Sequence, residues 1–298
     1  LQTKSDPHSL GRWRVNGALP QIGASGRTTK LEGVRAREGE RFGLPVTVVE
    51  VLDERGEQAL HKAKGTYVTV ELEGLARREK AVFARSVQVV AEQLNELTGE
   101  LPPAACVLAV GLGNRAITPD RIGPGVYDHL LVTRHLVEQL PGQFQGFRPV
   151  AALAPGVLGT TGMESGETVK AVCDALHPAL VIAADALVCG GTDRLCRTVQ
   201  LTDAGIAPGS GVGNRRWALN RENLGVPVIA IGAPTVMDGA ALTAGLKDEA
   251  SSRAGQELLV TPRDIDSRAA DLAKVIGYGI NLALQPGLEL EELELLLS

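Results

Sequence analysis

Three aspartates occupy positions in this sequence where a carboxylate could bind a ligand or take part in catalysis. Asp120 follows a glycine-containing turn after one apolar run, Asp185 lies inside a second run, and Asp238 closes a third. An isolated buried carboxylate is energetically costly, so a chain keeps one for a partner, a metal ion or catalysis. Two carboxylates that share a site raise one pKa, and the pair can then activate a water molecule. The apolar runs are CVLAV at 106–110, LVIAADALV at 180–188 and VPVIAIG at 226–232.

Each aspartate also has a structural interpretation. Thr118-Pro119-Asp120 is a helix-start pattern, because the helix dipole favours an acidic residue in the first turn. A close copy, Thr261-Pro262-Arg263-Asp264, is expected to cap a helix and do nothing more. Asp238 is open to the same interpretation, since acids commonly follow strands as helix caps. Asp185 is the most informative of the three, because it has apolar neighbours on both sides.

Two glycine-rich loops are incomplete versions of known phosphate-binding motifs. Gly111-Leu112-Gly113 lacks the third glycine of the dinucleotide fingerprint. The loop at 209–213 lacks the lysine of a P-loop. Tight turns explain both loops more simply, although their backbone N–H groups could hold a substrate chain or an oxyanion. The candidate substrate-binding loop residues are Gly113, Asn114, Ser210 and Gly211.

The elements that carry the aspartates alternate between strands and helices. This pattern predicts an α/β fold, a three-layer sandwich with a mostly parallel central sheet and helices on both faces. Buried parallel strands read as continuous apolar runs, and ligands bind beyond their carboxyl ends. Further strands are predicted at 44–52, 66–72, 148–156 and 197–203, and helices at 76–97, 123–140 and 261–284 (with Thr261 as N-cap). The acidic segment at 288–297 is interpreted as either a terminal amphipathic helix or an oligomer contact.

Composition narrows the class of protein. The 298 residues are 44% hydrophobic but only 3% aromatic, so the core must consist of Leu, Val, Ile and Ala. A net charge of −5 argues against direct nucleic-acid binding, which usually needs a basic face. The sequence has no apolar run long enough to span a membrane and no signal-peptide pattern, so we expect a cytoplasmic protein without a membrane partner. We expect a flexible, propeptide-related segment at 1–30 and a single α/β catalytic domain at 31–298.

The histidines and cysteines do not point to a metal centre. His129 and His135 fall on a predicted helix and are interpreted as structural. Cys189 and Cys196 are seven residues apart, which is not a zinc-ligand spacing. Four cysteines in a chain of this length are typical of reduced thiols in a cytosolic compartment.

Longer motifs resemble the germination proteases of spore-forming bacteria. The similarity runs in order from about Leu31 to Leu284. Two departures are visible: an Arg-Thr-Asp-Leu-Ala segment of the family is absent near the N-terminus, and the segment at 239–258 is shorter than in the family. The motifs are GLGN-x-x-ITPD at 111–120, LLVTRHL at 130–136, FRPV-x-ALAPGV-x-G-x-TGMES at 147–165, VIAADAL at 181–187, TVQLTDAGI-x-PGSGVGN at 198–214, LGVPVIAIGAPTVMD at 224–238 and LVTPRDID at 259–266.

The resemblance implies an endopeptidase that starts the degradation of small acid-soluble spore proteins during germination. It implies a zymogen that removes its own propeptide, a homotetramer, a location in the spore core or forespore, and a fold like that of hydrogenase maturation proteases (phosphorylase-like). The two acids favoured in the family lie in the TPD and D-A-L motifs, which here are Asp120 and Asp185.

Three hypotheses for function follow. In the first, Asp120 and Asp185 activate a water for peptide hydrolysis, with Asp238 as a possible third acid of the site. In the second, the same acids, with or without a histidine, bind a divalent metal ion in a metallopeptidase; no cofactor is otherwise expected. In the third, the chain is a non-catalytic nucleotide- or metal-binding module.

Overall fold

The computed structural model describes residues 14–16, 31–77, 79–208, 217–239 and 258–297. The strands of these residues form one sheet in the order β1-β2-β3-β4-β8-β9-β7-β5-β6, and β10 pairs with β9. The strands are β1 Arg14–Asn16, β2 Val34–Arg41, β3 Leu44–Val51, β4 Gly65–Glu71, β5 Val107–Gly111, β6 Val150–Leu153, β7 Leu180–Cys189, β8 Thr198–Thr202, β9 Val228–Asp238 and β10 Leu259–Val260.

One half of the sheet is parallel, as the apolar runs predict. β5 pairs in parallel with β6 and β7, and β7 pairs in parallel with β9. Side chains of β7 alternate between two cores, because successive residues of a strand point to opposite faces. Ile182 and Ala184 join the larger core, while Val181 and Ala183 join the smaller core on the other face.

The other half of the sheet is antiparallel, which the prediction of a mostly parallel sheet does not include. β2, β3 and β4 follow one another as antiparallel neighbours, and β8 joins β4 to β9 with antiparallel pairing on both sides. The segment 190–197 between β7 and β8 is too short for the crossover that a parallel return requires. The sheet is therefore mixed.

Helices cover both faces of the sheet, which confirms the predicted α/β class. α2 and α8, together with α3, pack on the larger core, and α6 and α7 pack on the smaller core. The helices are α1 Glu54–Leu60, α2 Lys80–Thr98, α3 Ile122–Asp128, α4 Arg134–Gln139, α5 Leu158–Thr161, α6 Ser165–Leu176, α7 Arg221–Leu224, α8 Ile265–Leu284 and α9 Leu290–Leu296, with 3₁₀ turns at Leu75–Arg77 and Thr118–Asp120.

Residues 123–140 do not form the single predicted helix. The Asn281 side chain of α8 forms hydrogen bonds with the backbone between α3 and α4. These bonds separate the two helices. The Asn281 side chain accepts a hydrogen bond from the Leu131 N–H at 2.8 Å and donates one to the His129 carbonyl at 2.8 Å. These long-range bonds satisfy backbone groups that a continuous helix would otherwise pair internally.

Helix α8 begins later than the sequence predicts. Thr261 is not its N-cap, because the Thr261 hydroxyl donates to the Thr235 carbonyl at 2.9 Å. Asp264 is the residue before the helix, and Leu259–Val260 form the short strand β10 on the end of β9. The TPR segment at 261–263 is thus a link between sheet and helix.

Several predictions fall outside the described residues. They concern the flexible segment at 1–30, apart from β1, most of the shortened segment 239–258, and the loop residues Ser210 and Gly211. Within the described residues, no helix is long and apolar enough to cross a membrane.

Candidate active site

Asp120 ends a 3₁₀ turn that folds back onto the extension of β5. Its carboxylate accepts a hydrogen bond from the Asn114 N–H at 2.7 Å. Gly113 permits this contact: its φ is +112°, and a Cβ there would lie 2.3 Å from the Asp120 carbonyl oxygen and 3.1 Å from a carboxylate oxygen. Because other residues rarely adopt this φ, glycine is required at position 113.

The turn at Thr118–Asp120 is fixed to two other elements. The hydroxyl of Thr235, which is completely buried on β9, donates to the Pro119 carbonyl at 2.6 Å. The hydroxyl of Thr118 bonds the Asp266 carboxylate in the first turn of α8 at 3.1 Å. These two hydrogen bonds therefore fix the turn that carries Asp120, so the turn does more than start a helix.

An ion pair braces the loop that precedes the turn. The Arg115 guanidinium donates to the Asp128 carboxylate at 2.9 Å, which links the loop to the end of α3. This hydrogen bond raises the pKa of Arg115. Since both side chains are about half exposed, the pair contributes mainly to the geometry of the loop.

Asp185 lies within β7 and is only 5% exposed. One of its carboxylate oxygens accepts a hydrogen bond from the Ala186 N–H at 2.8 Å. By alternation along β7, its side chain lies on the same face as Val181 and Ala183 and opposite to the larger core. A carboxylate is costly to bury, so a chain keeps one at such a position for a partner, a metal ion or catalysis.

Asp185 lies on β7 beside the end of β5, and the loop that leads to Asp120 follows β5. The Leu112 N–H donates to the Ala184 carbonyl at 2.8 Å, which extends the β5–β7 ladder by one step beyond β5. Asp185 is the next residue on β7, and Gly113, which contacts Asp120, is the next residue after β5. The backbone at Gly113, which contacts Asp120, and Asp185 therefore each follow directly after one member of the same paired step.

Asp238 is not part of this arrangement. Asp185 pairs with Gly232 on β9, and Asp238 lies six residues further along that strand, roughly 20 Å of extended chain. There it is exposed and pairs with Leu259 of β10. The structure therefore does not place Asp238 beside Asp185 as a third acid.

An open groove of about 720 Å³ lies on the face of the sheet to which Asp185 belongs. Its floor is formed by side chains of β3, β4, β8, β9 and β7 that point away from the larger core. Strand register joins part of this floor into one cross-strand row, which we call the polar row. It consists of Glu38, Thr47, Thr69, Gln200 and Gly232, which line the groove, and of Asp185, which pairs with Gly232 on the neighbouring strand.

Apart from Asp185, the residues of the polar row are not predicted by the sequence. Gln200 and Thr69 lie 131 residues apart in the chain but are directly opposed in the sheet. Within the described residues, neither the side-chain amide of Gln200 nor the side-chain hydroxyl of Thr69 has a hydrogen-bond partner in the protein. The only sequence signal was Gly232, a glycine inside an apolar strand, which often marks a close approach of another backbone or a ligand.

No grouping typical of a metal centre is seen in the part of the chain that the structure describes. There, no three His, Cys, Asp or Glu side chains are grouped so that they could hold a metal ion. His129 packs against Tyr278, with ring centroids 5.9 Å apart, which agrees with a structural role. Cys189 and Cys196 are buried thiols outside any disulfide, and the Cys189 thiol donates to the Gly191 carbonyl at 3.2 Å.

Comparisons with known proteins agree with the motifs. The family model described as germination protease matches residues 20–251. The germination protease of Caldanaerobacter subterraneus subsp. tengcongensis is 42% identical, over 90% of this chain and 93% of that protein. The germination protease of Clostridium tetani is 38% identical, over 89% of this chain and 92% of its own. A crystal structure of the [NiFe] hydrogenase maturation protease HycI from Thermococcus kodakarensis KOD1 covers 59% of this chain and 92% of its own, at 20% identity and a TM-score of 0.34, too weak a likeness to assign a common fold.

Proposed function

Because the chain belongs to the germination protease family, we propose that it is an endopeptidase that hydrolyses small acid-soluble spore proteins during germination. The observation that carries this proposal is the position of Asp185. It is a buried carboxylate on the strand next to the one that positions Asp120, and it pairs with Gly232, which lines the open groove.

The proposed reaction uses both carboxylates and one water molecule. One carboxylate takes a proton as the water attacks the carbonyl carbon of the scissile bond. The other carboxyl group gives a proton to the amine as the C–N bond breaks. Asp120 is held for this role by the Asn114 N–H and by the anchored turn, and Asp185 by the Ala186 N–H.

The loop residues Gly113 and Asn114 are proposed to position Asp120 and are not proposed as donors to the tetrahedral intermediate. Gly113 and Asn114 follow β5 at the edge where Asp120 lies, but the Asn114 N–H is already bonded to the Asp120 carboxylate. We therefore assign Asn114 to positioning Asp120. Gly113 keeps the backbone close enough for that contact.

The family relationship also supports proposals that go beyond this site. The chain is proposed to be made as a self-processing zymogen, to form a homotetramer and to act in the spore core. Mass analysis of the purified protein over time tests self-processing, and light scattering tests the tetramer. These properties are independent of the assignment of Asp120 and Asp185.

The direct test of function is incubation of the protein with a purified acid-soluble spore protein, followed by mass analysis of the fragments. Discrete internal cleavage is the expected result, and no cleavage would overturn the proposal. A parallel incubation after exhaustive chelation separates the mechanisms. Cleavage that persists supports a water activated by two aspartates, whereas loss that is restored by a divalent ion favours the metallopeptidase alternative.

A further inference from the structure

The two Thr-Pro motifs of the sequence meet at one residue of β9. β7 and β9 pair one to one along their length except at Thr235. Leu187 pairs with Pro234, and the next residue of β7 pairs with Val236, so Thr235 is the extra residue of a β-bulge. Bulges are frequent beside active sites, where they redirect a side chain out of the regular ladder. Here the bulge residue contacts one Thr-Pro motif with its side chain and the other with its carbonyl.

The side-chain contact holds the residue immediately before Asp120. The Thr235 hydroxyl donates to the Pro119 carbonyl at 2.6 Å, and Thr235 is completely buried. Because a β-branched side chain is stiff about χ1, this hydroxyl can hold the carbonyl only while the backbone of the bulge keeps its position. The position of Asp120 therefore depends on the backbone at Thr235.

The carbonyl contact holds that backbone in place. β10 pairs with the end of β9, with Val260 opposite Met237, so the same register brings Thr261 alongside the bulge. The Thr261 hydroxyl donates to the Thr235 carbonyl at 2.9 Å. Pro262 follows and has no N–H group with which to continue the pairing. Thr261 therefore fixes the bulge at the point where the pairing with β10 ends.

The segment that follows β10 also holds the residue two positions before Asp120. The Thr118 hydroxyl donates to the Asp266 carboxylate, in the first turn of α8, at 3.1 Å. A hydrogen bond to an ionised acceptor is stronger than one between neutral groups. Both residues that lead into Asp120 are therefore held by one short segment, residues 261–266, through the bulge at one end and directly at the other.

Helix capping does not account for the contacts of the second Thr-Pro motif. The Thr261 hydroxyl donates to the sheet, and the Asp264 carboxylate, next to the helix, accepts from the Arg268 guanidinium at 2.8 Å. The expectation that this motif only caps α8 is therefore wrong. Its threonine is tied to the bulge that supports the Asp120 turn.

We propose that Thr261 and Asp266 are positioning residues for Asp120, and that Thr261 acts through Thr235 and Asp266 through Thr118. This inference rests on the proposed peptidase function, because it concerns the placement of one of the two acids of that reaction. Neither side chain touches the substrate or the water. Orientation of a catalytic group contributes to the rate of the chemical step rather than to substrate affinity, so the effect of both residues falls on kcat.

The first test compares two substitutions of Thr261 by their effects on kcat and KM. Thr261→Val keeps the shape of the side chain but removes the donor, so it should lower kcat on an acid-soluble spore protein about tenfold with KM nearly unchanged. Thr261→Ser keeps the hydroxyl and should restore most of the rate. Ser267→Ala is the control, because the Ser267 hydroxyl donates to the Asp264 carbonyl at the start of the same helix. A wild-type kcat in Thr261→Val, or an equal loss in Thr261→Ser, would overturn the role of Thr261.

Asp266 is tested by the same kind of comparison. Asp266→Ala removes the acceptor of the Thr118 hydroxyl and should lower kcat about fivefold, whereas Asp266→Asn keeps an acceptor oxygen and should recover most of the rate. Glu167→Ala is the control, since it also removes an exposed acid from the first turn of a helix, α6, and should leave kcat unchanged. Equal losses in Asp266→Ala and Asp266→Asn would contradict the assignment of Asp266.

A double substitution separates positioning of Asp120 from a general loss of structure. In the Asp120→Asn background, Thr261→Val should lower the remaining kcat by less than about twofold, because a residue that acts through Asp120 then has no carboxylate to position. A further fall as large as in the wild-type background would mean that the two effects are independent, and the proposal would be wrong.

A readout without catalysis keeps this inference separate from the proposed function. The Asn114 N–H donates to the Asp120 carboxylate at 2.7 Å, so the NMR signal of that amide proton reports the position of the carboxylate. Thr261→Val should move this signal upfield, and Thr261→Ser should leave it in place. That result in a chain that cleaves no spore protein refutes the peptidase function alone. Cleavage by the wild type, with the Asn114 signal and kcat both unchanged in Thr261→Val, refutes the positioning role alone.

Discussion

Asp185 on β7 lies directly opposite Gly232 on β9, and a side chain at position 232 would begin 2.4 Å from the Asp185 carbonyl oxygen. This pairing connects a buried carboxylate with the floor of an open groove. It also explains why a glycine interrupts the apolar run that forms β9.

Gly232→Ala should therefore be strongly disruptive. The added methyl group must push β7 and β9 apart, which we expect to cost ~1–3 kcal/mol of the free energy of unfolding and to displace Asp185. Urea unfolding and cleavage of an acid-soluble spore protein measure the two effects. Gly190→Ala is the control, because none of the described residues lies within 4 Å of a Cβ there. Normal stability and cleavage in Gly232→Ala would contradict the tight packing at this position.

Thr235→Val tests the support of the Asp120 turn. Loss of the hydroxyl leaves the Pro119 carbonyl without its 2.6 Å donor, so we expect a loss of ~1–2 kcal/mol in stability and a fall in kcat. Thr198→Val is the matched control. The Thr198 hydroxyl is also buried and has no hydrogen-bond partner among the residues that the structure describes, so its removal should be neutral or slightly stabilising. Equal effects of the two substitutions would refute the support role.

How much of this site the sequence predicts depends on the range of the interactions involved. The apolar runs predict β5 and β7, because a strand that is buried on both faces of a sheet consists of consecutive apolar residues. β2 was missed, because its charged residues alternate with few apolar ones. β9 was predicted to end at 232 and in fact continues to Asp238, since β10 pairs with its end from a distant part of the chain.

The polar row illustrates the same limit for function. Asp120 and Asp185 were identified from their positions after and within apolar runs and from the family motifs. Thr69 and Gln200 have ordinary local sequence contexts, and only strand register brings them into line with Asp185. Lys62 and Arg194, which also line the groove, lie in connecting segments, where local patterns do not predict a shared position.

His129 should make stability depend on pH. Loss of hydration, with the nearby Lys274 ammonium as a second cause, lowers the pKa of folded His129 below its ordinary value of 6.5. The unfolded chain then binds more protons, so stability falls as the pH decreases through about 6.5 towards the folded pKa. Thermal unfolding between pH 5 and 8 should show this fall in the wild type, and His129→Gln should reduce it. His135→Gln, at an exposed position, should not change the profile. A profile unaffected by His129→Gln would contradict the assignment.

The thiols should react in a fixed order. Cys106 is partly exposed, whereas Cys173, Cys189 and Cys196 are buried. Burial raises the pKa of Cys196 to about 11, so its thiolate is scarce at pH 8. A thiol reagent at pH 8, followed by peptide mapping, should modify Cys106 first, and Cys106→Ser should remove the fast phase. Rapid modification of Cys196 in the native protein would contradict its burial.

The most direct test of the central claim is the rate of cleavage by Asp185→Asn and Asp120→Asn. Both replacements keep the size of the side chain and an oxygen for the backbone N–H donor, so the proteins should fold like the wild type. The exposed Asp174→Asn on α6 is the control and should retain full activity. We predict that each active-site variant lowers kcat on an acid-soluble spore protein by at least ~100-fold, the low end for loss of general acid–base catalysis. Near-normal cleavage by either folded variant would contradict the assignment of that aspartate to the reaction.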